Sequence, residues 1–528
     1  MKYLKYILLV ILAACFFQSC EEDFLNIVPN DRLSYEIFWK TDQDAVLSAN
    51  AVYTFLENAA TFVDWDAMTD IGHITQSWRN ESLHERGLYS SSSVSVFDYW
   101  ERSYKGIRSA NDFFANIDRV EIQDQVLINN LKGEVKVLRA YFYIQLATLF
   151  GDVPLVTTTI TFEESRLLTR TAVAQVWDYI SQELTDAAAL LPTTPKNKGR
   201  ITKGTALALK ARAMLYAGRY QEAINAAKAV MDLNVYNLYP SYKSLFSYQA
   251  ENNQEVILDK EYIKDIQSNS LFLFQVTPSV YVNPNAGRSN PTKQIVDAYQ
   301  MNNGKEISDP TSGFDPYNPY VNRDPRLRYS VIVPGDTLPN GKIFDPRPGS
   351  GTADAIGYAE TTTNTGFNHK KYLNKEDLAD PANSGINTIF MRYAEILLIY
   401  AEAKIEVNQI DQSVLDAINL IRQRPDVNMP PITSISSQDV MREILRNERM
   451  VEFAFEGLRF FDIRRWRIAE DVMPGILYGM TYADNSGQLQ TISNPLFLRV
   501  FDKNKHYLWP IPYREITLNP NLTQNPNW

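Results

Sequence analysis

Both cysteines of this 528-residue chain, Cys15 and Cys20, lie in its first twenty residues. The body that follows has no disulfide and no thiolate metal site open to it, so its fold must be held by packing, hydrogen bonds and ion pairs. A composition of 45% hydrophobic and 22% charged residues supplies such a core and excludes wholesale disorder. Length alone suggests about three domains. The 52 Lys and Arg against 62 Asp and Glu give a net charge of −10, which speaks against a sequence-independent nucleic-acid binder.

The first cysteines have a specific setting. Lys2 and Lys5 precede an apolar run from Ile7 to Phe17, too short to span a ~30 Å hydrocarbon core as a settled helix. The run ends in Phe17-Gln18-Ser19-Cys20, the form of a lipoprotein signal peptide, with residues 1–19 removed and Cys20 acylated. Such a chain is tethered to a membrane by lipid while its body stays in water. Removing Lys2 and Lys5 leaves 50 basic residues against 62 acidic ones, or −12. No other segment is apolar enough to cross a membrane.

The dominant period in the body is helical. Thr41 to Asp44 reads as a capping box before the stripe Ala45, Ala49, Val52, Tyr53 and Leu56. Further stripes run from Trp100 to Ile117, from Leu131 to Leu149 before Gly151-Asp152-Val153-Pro154, and from Val173 to Leu191 before Pro192. Thr205 to Asp232 is more particular: small residues at three- and four-residue spacing flank Gly218-Arg219-Tyr220-Gln221-Glu222-Ala223, the pattern of a tetratricopeptide-like (TPR-like) helical hairpin. Arg392 to Arg424 repeats it more weakly. Glu443 to Trp466 reads as one more helix, whose Arg446, Glu448, Arg449, Glu452 and Glu456 are expected to pair along the helix for a few tenths of a kcal/mol each. Between these pairs, Pro, Gly, Asn and Asp recur every few residues, so residues 236–388 read as a loop-rich insertion with short strands. The expected organisation is a signal peptide at 1–19, a helical region at 20–235, the insertion at 236–388, and a helical region with a tail at 389–528.

Strings spread along the chain resemble the SusD/RagB family of Bacteroidetes surface lipoproteins. After Cys20 and the acidic Glu21-Glu22-Asp23 come Asp23-Phe24-Leu25-Asn26 and Pro29. Then follow Arg139-Ala140-Tyr141-Phe142-Tyr143 with Phe150-Gly151-Asp152-Val153-Pro154, Asn322-Arg323-Asp324-Pro325-Arg326, Arg392-Tyr393-Ala394-Glu395, Ile421-Arg422-Gln423-Arg424, Asn447-Glu448-Arg449 with Glu452, and Gly457-x-Arg459. Trp509-Pro510-Ile511-Pro512 and Asn519-Pro520-Asn521 close the series. No single string is specific; their order over the whole chain is. Arg424-Pro425-Asp426 departs from the family's usual Arg-Ala-Gly, a local turn difference. The resemblance implies a mainly α, SusD-like fold of TPR-like helical pairs, a lipid anchor at Cys20 facing the outside of the outer membrane, and docking on a SusC-like TonB-dependent transporter. It also implies capture of an oligosaccharide or polysaccharide, with no cofactor and no chemistry. A RagB-like peptide-capturing lipoprotein, or a TPR-type protein-interaction lipoprotein, is the alternative.

Sugar capture by such a protein needs aromatic faces beside polar groups. Of the 63 aromatics, those on helical stripes belong to the core. The off-period candidates are Asp64 and Trp65, then Trp78, Arg79 and Asn80, then Tyr281, Tyr317 and Tyr320 in the insertion. No HExxH, GxSxG or P-loop string occurs, and no acid pair is singled out for hydrolysis. His73, His84, His369 and His506 are scattered and read as surface or capping residues rather than metal ligands. Asp64, Asp66 and Asp70 lack the glycine and terminal glutamate of a calcium loop.

Overall fold

The computed structural model describes residues 38–121 and 124–528. The signal peptide, Cys20, Asp23 to Asn26 and Pro29 lie outside the described residues. Helices dominate. α1 (Asp42–Tyr53) opens on the expected capping box: Asp44 N–H reaches Thr41 Oγ1, and the Asp44 carboxylate answers the Thr41 N–H at 2.8 Å. α2 (Ala59–Ala67) follows, then α3 (Val94–Asn116), α4 (Gln125–Phe150), α5 (Val173–Leu190), α6 (Lys203–Tyr216) and α7 (Tyr220–Asp232). After the insertion come α8 (Tyr393–Glu406), α9 (Gln412–Arg422) and α10 (Gln438–Glu452).

Each helix packs mainly on its neighbours in this order: α3 on α4, α4 on α5, α5 on α6, α6 on α7, α7 on α8 and α8 on α9. This is the stacking of a TPR-like array, where no pair can bury its apolar stripe alone. α4 is its centre, with Leu131, Val135, Leu138, Phe142 and Leu146 buried. Gly106 on α3 lets it approach, since a Cβ there would stand 2.4 Å from the Phe142 ring.

The insertion is closed at its base by β2 (Val256–Lys260) and β6 (Thr388–Arg392), paired antiparallel just before α8 begins. It is stitched to the helical body by β1 (Gly72–Ile74), which pairs with β3 (Ser289–Pro291), while β4 (Val331–Ile332) pairs with β5 (Asn368–His369). Asp426 caps the start of this excursion by accepting from the N–H groups of Tyr242 and Lys243, both at 3.0 Å, so the Pro-Asp turn anchors the insertion.

Two expectations are corrected. Glu443 to Trp466 is not one helix: α10 ends at Glu452, Phe455 and Gly457 take φ of 65° and 80°, and α11 (Arg459–Arg465) starts on a new axis. Among the described residues Arg446, Glu448, Arg449, Glu452 and Glu456 form no ion pair with one another along the helix. Glu448, Glu452 and Glu456 face inward and join Arg326, Arg392, Arg422, Arg424, Lys371, Glu255 and Asp324 in one buried network. Arg326 reaches Glu448 at 2.6 Å and Glu452 at 2.9 Å; Arg392 reaches Glu255, Glu452 and Glu456 at 2.7–2.8 Å; Arg424 reaches Glu255 at 2.7 Å. Arg422 holds Glu448 at 2.7 Å and Lys371 holds Glu456 at 2.6 Å. Five cations meet five carboxylates, the condition under which charge is tolerated in an interior. Burial alone would raise the Glu452 pKa, but Arg392, Arg424 and Arg326 outweigh it and hold the carboxylate far below its ordinary range. The second correction is in the last region, where a hairpin of β7 (Gly475–Ala483) and β8 (Leu489–Arg499) stands among the helices.

Candidate functional site

The pairing of β1 with β3 brings two loops side by side. Beyond β1, the Thr75 N–H donates to Arg288 O at 3.1 Å, Thr75 Oγ1 to Asn290 Oδ1 at 2.8 Å, and Gln76 Nε2 to Pro284 O at 2.7 Å. These bonds tie the loop that carries Trp78 to the loop that carries Tyr281. A third loop leans on the second: the Ser279 N–H donates to Asp354 Oδ1 at 2.8 Å, and Gly287, at φ 58°, passes so near Thr361 O that a Cβ would stand 2.5 Å away. Between Asp354 and Thr361 lies Tyr358. Trp78, Tyr281 and Tyr358 are 67%, 41% and 67% exposed, unusual values for large rings on stapled loops.

Charged groups lie beside Trp78. The Arg79 guanidinium sits 5.5 Å from the Trp78 ring, and its Nε is 3.3 Å from Glu81. Arg288 bridges Glu81, at 3.4 Å, and Asp64. Burial pushes the Asp64 carboxyl up and Arg288 pulls it back, leaving it at about 7. Asn80 is exposed at the start of the short helix Asn80–Glu85.

The remaining candidates separate. Trp65 offers no face to a ligand: it is 1% exposed, with its ring 4.6–5.7 Å from those of Tyr99, Phe460, Phe461 and Trp509. It lies on α2, a nine-residue helix buried on nearly every side and too short to show a period, which is why it reads as a loop aromatic. Asp64, also on α2, is buried as the partner of Arg288 rather than presented to solvent. Tyr317 is exposed in the turn capped by Asp315, whereas Tyr320 packs edge-on against Phe367 at 6.2 Å and lines a cleft of about 160 Å³ with Lys293, Asp297 and Arg323. Among the described residues no hydrogen bond or ring contact joins these two tyrosines to the rim of Trp78 and Tyr281. Tyr358 was missed, although Gly357-Tyr358 is an off-period aromatic in the insertion, the same signal that selects Tyr281.

The histidines are not surface residues. All four are buried: His73 contacts Glu85 at 2.9 Å, His84 stacks between Tyr89 and Trp509, His369 meets Ser289 Oγ at 3.0 Å, and the His506 ring packs beside Tyr89. Burial drives His84 and His369 down to about 3, so both stay neutral. The three aspartates of residues 64–70 serve three different partners: Asp64 holds Arg288, Asp66 accepts from the N–H groups of Gly457 and Arg459 at 3.0 and 2.8 Å, and Asp70 pairs with Arg459 at 2.7 Å. Among the described residues no cluster of three His, Cys, Asp or Glu could hold a metal ion.

The profile of the SusD family matches residues 254–528, just over half of the chain, and residues 24–215 match a second profile, described as starch-binding associating with outer membrane. The chain belongs to the SusD family. Full-length relatives agree: SusD-like protein P2 of Formosa agariphila is 25% identical over 98% of this chain and 97% of its own. A SusD-like carbohydrate binding protein from Bacteroides fragilis superposes with a TM-score of 0.84 at 28% identity, covering 92% of this chain and all of that one. A second SusD-like protein from the same organism gives 0.82 at 27% identity, covering 95% and 100%. This mainly helical chain therefore has the SusD-like fold. Among the described residues no helix is long and apolar enough to cross a membrane.

Proposed function

We propose that this SusD-like protein is a glycan-binding lipoprotein of the outer membrane, anchored through Cys20 and facing outward, which captures an oligosaccharide and delivers it to a SusC-like TonB-dependent transporter as its lid. One observation carries the ligand class: three exposed rings, Trp78, Tyr281 and Tyr358, on loops bonded to one another around Arg79, Glu81 and Arg288. Rings held this way stack on the C–H faces of sugars, while Arg79 and Asn80 serve the hydroxyls. Stacking platforms need a rigid base more than a deep cavity, and the β1–β3 pair supplies one. The carbohydrate-binding relative in Bacteroides fragilis supports the same class. The protein itself is assigned no bond-breaking step.

Affinity electrophoresis of the mature protein against a panel of soluble polysaccharides tests the reading. Retardation by at least one glycan, weakened in Trp78→Ala and Tyr358→Ala, is expected. Retardation by none, or retardation that both variants keep, would sink it. For the anchor and the transporter, loss of membrane association in Cys20→Ala and co-purification of a large barrel protein with the wild type are the expected results.

A further inference from the structure

In the helical body, where α2, α4, α6 and α11 meet, a cavity of about 30 Å³ is walled by Trp65, Gln145, Arg212, Tyr216 and Phe461, with Glu57 at its side. Trp65, Glu57, Arg212 and Phe461 are all buried. Three polar atoms of this wall find no hydrogen-bond partner among the described residues: Trp65 Nε1 on α2, Gln145 Oε1 on α4 and Tyr216 Oη on α6. Each comes from a different helix. The two rings are also fixed in place, Trp65 by Tyr99, Phe460, Phe461 and Trp509, and Tyr216 by Phe461 at 5.9 Å and the Arg465 guanidinium at 5.6 Å. Polar groups shut away from solvent in this manner carry their full desolvation cost unless a small polar partner reaches them.

The charged walls already have partners. Arg212 donates to the two oxygens of Glu395 at 2.8 and 2.5 Å and to Phe390 O at 2.7 Å, while Glu57 accepts from Arg102 at 3.1 Å. With these charges matched, nothing in the wall calls for an ion. The volume is far below that of a sugar. Three unmatched polar atoms also set it apart from the dry, apolar cavities that take up xenon or benzene. Water fits both requirements, since each molecule needs about 10–15 Å³ of such space and two to four polar partners.

We propose that about two ordered water molecules occupy this cavity and join α2, α4 and α6. The Trp65 N–H donates to this water, which in turn donates to Gln145 Oε1 and shares a hydrogen bond with the Tyr216 hydroxyl. The water is then part of the joint between the three helices. Because α2 also carries Asp64, the partner of Arg288, the same joint seats the helix on which the loop of Arg288 is anchored.

A crystal structure of the mature protein, at a resolution that shows ordered water, tests this directly. Density is expected at hydrogen-bond distance, about 2.7–3.2 Å, from Trp65 Nε1, Gln145 Oε1 and Tyr216 Oη. A crystal pressurised with xenon should take up none of the gas in this cavity. In solution, magnetic relaxation dispersion of the water oxygen should count fewer long-lived waters in the double variant Gln145→Met/Tyr216→Phe than in wild type. Where that variant fails to fold, the wild-type density and the xenon derivative decide. No ordered density against these three atoms, xenon bound among them, or an equal count of long-lived waters in the folded variant would each overturn the proposal.

Discussion

Two of the places where arginines, carboxylates and aromatic rings gather obey opposite rules. In the seam where the insertion meets α9 and α10, Arg326, Arg392, Arg422, Arg424 and Lys371 are removed from water and matched one for one by carboxylates. On the rim the rings of Trp78, Tyr281 and Tyr358 face solvent, with Arg79 beside Trp78. The strings that carry the family resemblance, from Asn322-Arg323-Asp324-Pro325-Arg326 through Arg392, Arg422-Gln423-Arg424 and Glu448 to Glu452, converge on the seam. The rim contains none of them. Part of what makes this chain recognisable is therefore the joint that holds the insertion to the helices, while the residues proposed to choose the ligand lie where no shared string marks them.

The largest expected effects come from breaking the seam. Glu452 contacts Arg326, Arg392 and Arg424 at once, so Glu452→Ala leaves the five buried cations of the seam facing four carboxylates. A loss of about 3–5 kcal/mol is expected in urea unfolding, the cost of leaving buried charge uncompensated. A loss under 1 kcal/mol would show that water enters the seam and would erase the contrast with the rim. Trp65→Ala should cost nearly as much, about 3–5 kcal/mol, because it empties the space between Tyr99, Phe460, Phe461 and Trp509.

Acid and base separate the seam from the buried base of α2. The Glu452 pKa lies well below its unfolded value, so its contribution to stability is present above the ordinary carboxylate range and is lost as pH falls through the folded pKa. Asp66 is the reverse: burial raises it to about 7 against the pull of the Gly457 and Arg459 N–H groups, so its contribution is full below ~4 and is lost as pH rises through about 7. The stability of wild type minus Glu452→Gln should therefore shrink on acidification below ~4.5, whereas wild type minus Asp66→Asn should shrink as pH rises from 5 to 8. Thermal melts from pH ~3 to ~8 give both signs, and identical signs would refute the distinction.

The helical stack was legible because stripes such as Leu131 to Leu149 repeat over several turns, and because Gly218 and Tyr220 mark a hairpin by spacing alone. The seam was not. Glu448, Glu452 and Glu456 are spaced for pairing along a helix, and nothing local says that their partners are Arg326, Lys371, Arg392, Arg422 and Arg424, the nearest of them 26 positions away. The hairpin β7–β8 was absorbed into a tail although Asp484 to Gln488 is a turn between alternating runs, because no apolar stripe of helical period stood there to be contradicted. At the rim, Trp78 and Tyr281 were found by being off-period, and Trp65 was misassigned by the same rule, since a nine-residue helix buried all round has no period to belong to.

The smallest effect on stability is expected where the effect on binding is greatest. Trp78 is 67% exposed and its ring lies 5.5 Å from the Arg79 guanidinium, so Trp78→Ala removes a largely solvent-facing ring. Its unfolding free energy should stay within about 0.5 kcal/mol of wild type. Retardation on the binding glycan should nevertheless weaken by about tenfold, the scale of one lost stacking contact of 0.5–1.5 kcal/mol or slightly more. Tyr281→Ala, at a ring less exposed and closer to the Thr277 turn, should behave in the same direction with a smaller loss of binding. If Trp78→Ala instead destabilised the fold as Trp65→Ala does, the ring would be packing rather than presenting, and the contrast between seam and rim would fail at its most exposed residue.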